Sequence, residues 1–172
     1  FKPKQKELEN AKNKYKTPTK PYYYLHRERE EVFFKAGPKI ICQIRTSKPN
    51  FLYTEKEYYA SRAVNILISK RISLKYLTII LNSKLIHFYF KNRGALQGNI
   101  LKFDKGPLLR IPIKLINGSN ILNTLYDNII KQKKIGDDNS ILENQTDYII
   151  YRLYELTYDE VQVIDPDFSL SK

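Results

Sequence analysis

From Lys39 the chain alternates with a period of two. Ile40, Cys42 and Ile44 fall on one side and Ile41, Gln43 and Arg45 on the other, the pattern of a strand with one buried face. A turn-like SKPN follows at residues 47–50, then a short strand, FLY, at residues 51–53. Alternation returns between Arg62 and Ser69, with Val64, Ile66 and Ile68 opposed to Ala63, Asn65 and Leu67. The spacing changes after Ile72. The segment SLKYLTIILNSKLIHFYFKNRG predicts two short helices, with Ser73 capping the first, Asn82 and Ser83 marking the break, and the second running from Lys84 to about Lys91. Gly94 and Gly98 bracket a loop, RGALQGN, after which ILKF and LLRIPI read as two more short strands, the latter confined by Pro112 to an edge.

Further along, Ile121, Leu122, Leu125, Tyr126, Ile129 and Ile130 recur at helical spacing, and the polar KQKKIGDDN run that follows is expected to be a loop. Ser140 with Glu143 has the spacing of a capping box ahead of a helix carrying Leu142, Ile149, Leu153 and Leu156, and Thr157 with Glu160 repeats it ahead of a short final helix. The fold class this predicts is α+β: a mixed, mainly antiparallel sheet with a packed helical hairpin, followed by C-terminal helices. Residues 1–24 begin Lys-rich and continue KTPTKPYYYL, where Pro18 and Pro21 interrupt regular structure, so they read as a connector from an upstream domain. Residues 25–117 form the expected central domain, and residues 118–172 a helical segment packed on it.

Charge changes sign at the last of these boundaries. Of the net +12 carried by 172 residues, residues 1–49 contribute +8 and residues 50–117 contribute +9, while residues 118–172 carry −5. A Lys-, Asn- and Ile-rich genome raises basicity but does not reverse its sign within one chain, so the first two thirds are expected to present a polyanion-binding face. Cys42, the sole cysteine, cannot form an intrachain disulfide, and with His26 and His87 it supplies too few nitrogen and sulfur ligands for a zinc centre. No run approaches the roughly 18 apolar residues of a membrane span. The sequence has no methionine and starts at Phe1, which leads us to expect a piece of a longer polypeptide.

Catalytic patterns are missing from the sequence: there is no glycine-rich phosphate loop, no nucleophile elbow and no paired histidines at helical spacing. The string PDFSLSK at residues 166–172 has only part of a metal-dependent nuclease pattern, since serines stand where its second acid belongs. His26 reads as an exposed polar residue and His87 as a helix-surface or core residue rather than a general base. The sequence does supply polar side chains at the ends of short strands. Arg45, Thr46 and Lys48 leave the first strand, and Lys91, Arg93, Gln97, Asn99 and Lys102 surround the glycine-bracketed loop. Arg and Gln can hydrogen-bond two base-edge atoms at once, whereas Lys neutralises phosphate, and the neighbouring glycines permit close approach to a ligand. Ordinary solvated turns would carry similar residues one at a time. Most of the 14 tyrosines, including Tyr58, Tyr59, Tyr76 and Tyr89, lie among apolar residues and are expected to pack in or near the core rather than stack on unpaired bases.

The order of these segments resembles a known family. PKII at residues 38–41, LNSKLIHFYF at residues 81–90, the glycine loop at residues 94–98 and IPI at residues 111–113 occur in the succession seen in the TaqI-like C-terminal specificity domain. That domain is the target recognition domain of many bacterial type II restriction and modification enzymes, and the resemblance covers about residues 30–115. It implies a parent enzyme that methylates adenine N6 in DNA with S-adenosylmethionine, often fused to a Mg-dependent endonuclease as in type IIG systems. The NPPY-type methylation motif of such enzymes is absent here, so the resemblance implies a fragment that recognises duplex DNA for an upstream methyltransferase domain, in the bacterial cytoplasm with the nucleoid, and is not itself catalytic. The alternatives are an RNA or single-strand binding module, a specificity-subunit fragment of a type I restriction system, or a structural domain whose basicity reflects genome composition.

Overall fold

The computed structural model describes residues 2–14, 19–24, 30–115 and 120–169. The chain divides into two compact units, residues 1–33 and 34–172. In the first, a short 3-10 turn leads into helix α1 (Gln5–Lys14), where Lys4 meets Glu7 at 3.1 Å and Gln5 donates to Glu9 at 2.8 Å. This helix occupies part of the segment expected to be only a connector.

The second unit is built on two antiparallel sheets of three strands each. In the first sheet β1 (Lys39–Gln43) lies between β3 (Leu52–Thr54) and β4 (Val64–Leu67), with Ile40 opposite Tyr53 and Leu67. The chain then crosses to a second sheet, in which β2 (Arg45–Thr46) pairs with β6 (Ile100–Lys102), and β6 with β5 (Ala95–Gln97). Ile44 is the seam. Its N–H donates to the Ala63 carbonyl at the base of the first sheet, and its own carbonyl accepts the Phe103 N–H at the end of the second. The predicted alternation holds, with Ile40 and Cys42 buried and Gln43 and Arg45 exposed, but it serves two sheets rather than one. Burial pushes the Cys42 thiol up to about 12.

The helical hairpin is α2 (Leu74–Asn82) and α3 (Lys84–Arg93), capped as expected by Ser73, whose hydroxyl accepts the Tyr76 N–H. Ser83 ends the first helix and begins the second, its Oγ accepting the Ile86 N–H. Phe90 and Phe103 pack edge to face at 4.5 Å and Phe51 meets Phe103 at 5.2 Å, so both sheets and the hairpin share one core with Ile40, Ile80 and Leu101.

Other predicted elements differ as well. LLRIPI is not a strand: Lys105–Leu109 form a short helix, α4, and irregular chain follows. Pro107 fits there because the first turn of a helix needs no intrahelical N–H. The expected loop KQKKIGDDN is half helical, since α5 (Asn120–Ile135) continues until Gly136, whose positive φ of 78° ends it. The Ser140–Glu143 capping box is replaced by Asp138, which accepts both the N–H and the hydroxyl of Ser140 at the start of α6 (Ser140–Leu153). The Thr157–Glu160 box ahead of α7 (Tyr158–Ile164) is present in both directions.

The C-terminal helices back the hairpin, α5 against α2 and α6 and α7 against α3. Asp147 of α6 accepts the Lys84 N–H at 3.0 Å, supplying a cap from outside the hairpin. Tyr126 of α5 bonds the backbone of Tyr53 in both directions. No described helix is long and apolar enough to cross a membrane.

Candidate nucleic-acid interface

The second sheet has two unlike faces, and the register sets which residues share each. Directly paired residues point the same way and neighbours along a strand point oppositely. In β6 and just beyond it, Leu101 and Phe103 are buried while Ile100 is exposed and Lys102 half-buried, so the face of Leu101 is the core face. Arg45 stands directly opposite Lys102, and Gln97 directly opposite Ile100. The outward face therefore carries Arg45, Lys102, Gln97 and Ile100 together. Thr46, opposite the buried Leu101, belongs to the core face and is half-buried, which makes it the least suitably placed of the expected contacts.

The remaining expected residues frame this face. Asn99 lies exposed in the two-residue turn joining β5 to β6. Gly98, the first turn residue, has φ +58°, as a tight hairpin with glycine in that position requires. Lys91 and Arg93 occupy the last turn of α3, exposed and immediately ahead of β5. Gly94 makes that junction: a Cβ there would lie 2.4 Å from the Phe90 carbonyl oxygen, so the expected ligand-approach role of this glycine is instead a close approach to its own helix. The RGALQGN segment expected as a loop is thus half of a hairpin, and its Gly-Asn turn was the signal for one.

Lys48 is exposed just past β2. It also borders a groove of about 530 Å³ that includes Lys84, Lys133 and Glu143, so it stands at the edge of the basic surface. His87, on α3, faces this loop. Burial and the nearby charges of Lys91 and Lys48 lower its pKa against the opposing effect of the Ser47 backbone, so the ring is neutral at pH 7. His26 lies outside the described residues.

Charge pairing sets this surface apart. Arg45, Lys48, Lys91, Arg93 and Lys102 make no ion pair among the described residues, and two of them face each other across a strand ladder, an arrangement that destabilises a sheet without an anion. Lys105 and Arg110, at the two ends of α4, are likewise exposed and make no ion pair among the described residues, and the strand reading of LLRIPI had hidden the second. The PDFSLSK string does not assemble a site among its described residues. Asp165, just before it, is buried and already bound to Lys84 at 2.7 Å and to the Tyr151 hydroxyl.

Of the tyrosines expected in the core, Tyr76 is buried and Tyr89 half-buried, whereas Tyr58 and Tyr59 are 42% and 66% exposed. They belong to the irregular chain between β3 and β4, where alternation does not fix a face, and Tyr59 stacks on Phe34 at 5.2 Å.

Comparison with known proteins bears on this surface. A family model described as the TaqI-like C-terminal specificity domain matches residues 3–113. Type II methyltransferase M.HincII of Haemophilus influenzae is 30% identical over 127 residues, 69% of this chain and 24% of that protein. Type II methyltransferase M.HindII of Haemophilus influenzae (strain ATCC 51907 / DSM 11121 / KW20 / Rd) is 30% identical over 115 residues, 62% of this chain and 20% of its own length. The chain thus spans about a quarter or less of the methyltransferases it matches.

Proposed function

Since the chain belongs to the TaqI-like C-terminal specificity domain family, we propose that it recognises a specific sequence in duplex DNA for a methyltransferase of a restriction-modification system. The observation that carries this reading is the outward face of β2–β6–β5, where Arg45 and Lys102 stand side by side with no ion-pair partner among the described residues and Gln97 and Asn99 occupy the exposed hairpin. Phosphate supplies the anion that the like-charged pair lacks. A two-stranded ribbon fits the major groove, and polar side chains at its tip discriminate base edges, each good bidentate contact contributing about 1–3 kcal/mol.

In this reading Arg45, Lys48, Lys91 and Lys102 neutralise phosphate, while Arg93, Gln97 and Asn99 reach bases. The half-buried Thr46 positions β2. The parent polypeptide transfers a methyl group from S-adenosylmethionine to adenine N6, and a fused Mg-dependent endonuclease would make it a type IIG enzyme. These chemistries belong to the rest of that polypeptide, and the reading places it in the bacterial cytoplasm.

The single-strand reading has one observation in its favour, the exposed Tyr58 and the Phe34–Tyr59 stack. Competition binding with the full-length polypeptide separates the two. Duplex recognition predicts that one duplex sequence competes at least about 1,000-fold better than random duplex. Stronger competition by the unpaired strands would overturn it.

A further inference from the structure

We propose that the β5–β6 hairpin reads an adenine·thymine pair, with Ile100 against the thymine 5-methyl group and Gln97 hydrogen-bonded to the adenine edge. This deepens the duplex-recognition reading and rests on it. Among the described side chains of the outward face, all are cationic or polar except Ile100, which is 39% exposed and directly opposite Gln97. Leu96, the other exposed apolar residue of the hairpin, stands opposite Leu101 and so lies on the other face of the ribbon.

The major-groove edge of an adenine·thymine pair presents the adenine N7 acceptor and N6 donor, then the thymine O4 and methyl group. A carboxamide can bond N7 and N6 together, and a branched aliphatic chain covers the methyl. Directly opposed residues in an antiparallel ladder have Cβ atoms about 4.5–5.5 Å apart, so an amide and an aliphatic group held as Gln97 and Ile100 are can address the two halves of one pair. A guanine·cytosine pair lacks the methyl, and its guanine presents two acceptors, N7 and O6, where adenine presents an acceptor and a donor, so the same hairpin disfavours it. The two-residue turn at Gly98 and Asn99 holds both side chains at the projecting end, and Arg45 and Lys102 on the same face supply the attraction that brings a polyanion there.

The test is made with the full-length polypeptide and a duplex selected from a randomised pool. Each thymine of that duplex is replaced in turn by deoxyuridine, which removes only the methyl group, and affinity is read by fluorescence anisotropy at fixed salt. One position should weaken about fourfold, the value of one buried methyl group. Ile100→Ala should lose affinity on the thymine duplex and become insensitive to deoxyuridine at that position. Gln97→Ala should relax the preference for adenine in the same pair, and Leu96→Ala should leave the deoxyuridine response intact. A selected site without an adenine·thymine pair, a flat deoxyuridine scan, or an Ile100→Ala protein that keeps the response would overturn the contact alone. If no duplex sequence is enriched, the duplex reading fails and the contact with it.

Discussion

The lysines of the helical side and the cations of the second sheet are treated oppositely by the same fold. Lys75 meets Asp127 at 2.7 Å, Lys84 meets Asp165 at 2.7 Å, Lys133 meets Glu143 at 2.9 Å, and Lys114 is bound to Glu155. Every one of those carboxylates comes from the acidic last third of the chain. Arg45, Lys48, Lys91, Arg93 and Lys102 receive none among the described residues. Apart from Lys84–Asp165, whose carboxylate is buried, these are exposed pairs contributing about 0–1 kcal/mol each, so their pairing matters mainly as a partition of charge. The first set of lysines is paired from within the chain, and the second set of cations is not paired among the described residues.

Lys39 marks the limit of that comparison, and its removal has the largest expected effect. Although a lysine, it is 1% exposed, and its Nζ donates to the backbone carbonyls of Phe34, Lys35 and Lys56. Lys39→Met leaves those carbonyls without their donor and should cost about 3–5 kcal/mol by urea denaturation. A loss below 1 kcal/mol would place this lysine with the exposed ones.

Next in size is the opposed pair on the sheet. Replacing both Arg45 and Lys102 with Ala should reduce duplex affinity about 10–100-fold at 100 mM salt while leaving the melting temperature unchanged or slightly raised, because a like-charge contact is relieved. A fall in melting temperature with unchanged affinity would assign the pair to the fold instead of to DNA.

Asp147 sharpens the comparison from the acidic side, being an acid with no ion-pair partner among the described residues. Burial raises its carboxyl from an ordinary 3.8 to about 6, against the lowering effects of the Lys84 N–H and charge. Between those values the folded state binds the proton more tightly than the unfolded chain, so this group favours folding at low pH and the contribution is lost as pH rises through 6. Asp147→Asn keeps an acceptor for the Lys84 N–H and removes the buried charge. It should gain about 1–2 kcal/mol at pH 8 and almost nothing at pH 4, in paired thermal melts. A loss at pH 8 would mean that the negative charge is what holds α3.

The smallest effects belong to the paired lysines. Lys75→Ala and Lys133→Ala should each change stability by less than about 1 kcal/mol, measured by the same denaturation.

Local signals carried much of this arrangement in the sequence. The hydroxyl caps at Ser73 and Thr157 act within three residues of themselves, and the alternation from Ile40 to Ile44 needs only its own strand, so each was legible. What was hidden depends on partners far along the chain. Ile44 sends its two backbone bonds to Ala63 and Phe103, and nothing in its neighbours announces the change of sheet. Asn82, read only as a helix break, bonds both the N–H and the carbonyl of Phe51 with its side chain. The site residues were legible as loop-end polar groups. The gathering of Arg45, Lys102 and Gln97 on one face, with Thr46 on the other, followed only from β6 pairing with both β2 and β5, and Ile100 was unrecognised because an isolated isoleucine in ILKF reads as core.

The salt dependence of duplex binding tests the charge partition most directly. In the full-length polypeptide, the slope of log affinity against log salt should become shallower by about two when Arg45 and Lys102 are replaced together, and should stay unchanged when Lys75 and Lys133 are. Equal shifts from the two replacements, or a shift from the helical lysines alone, would contradict it.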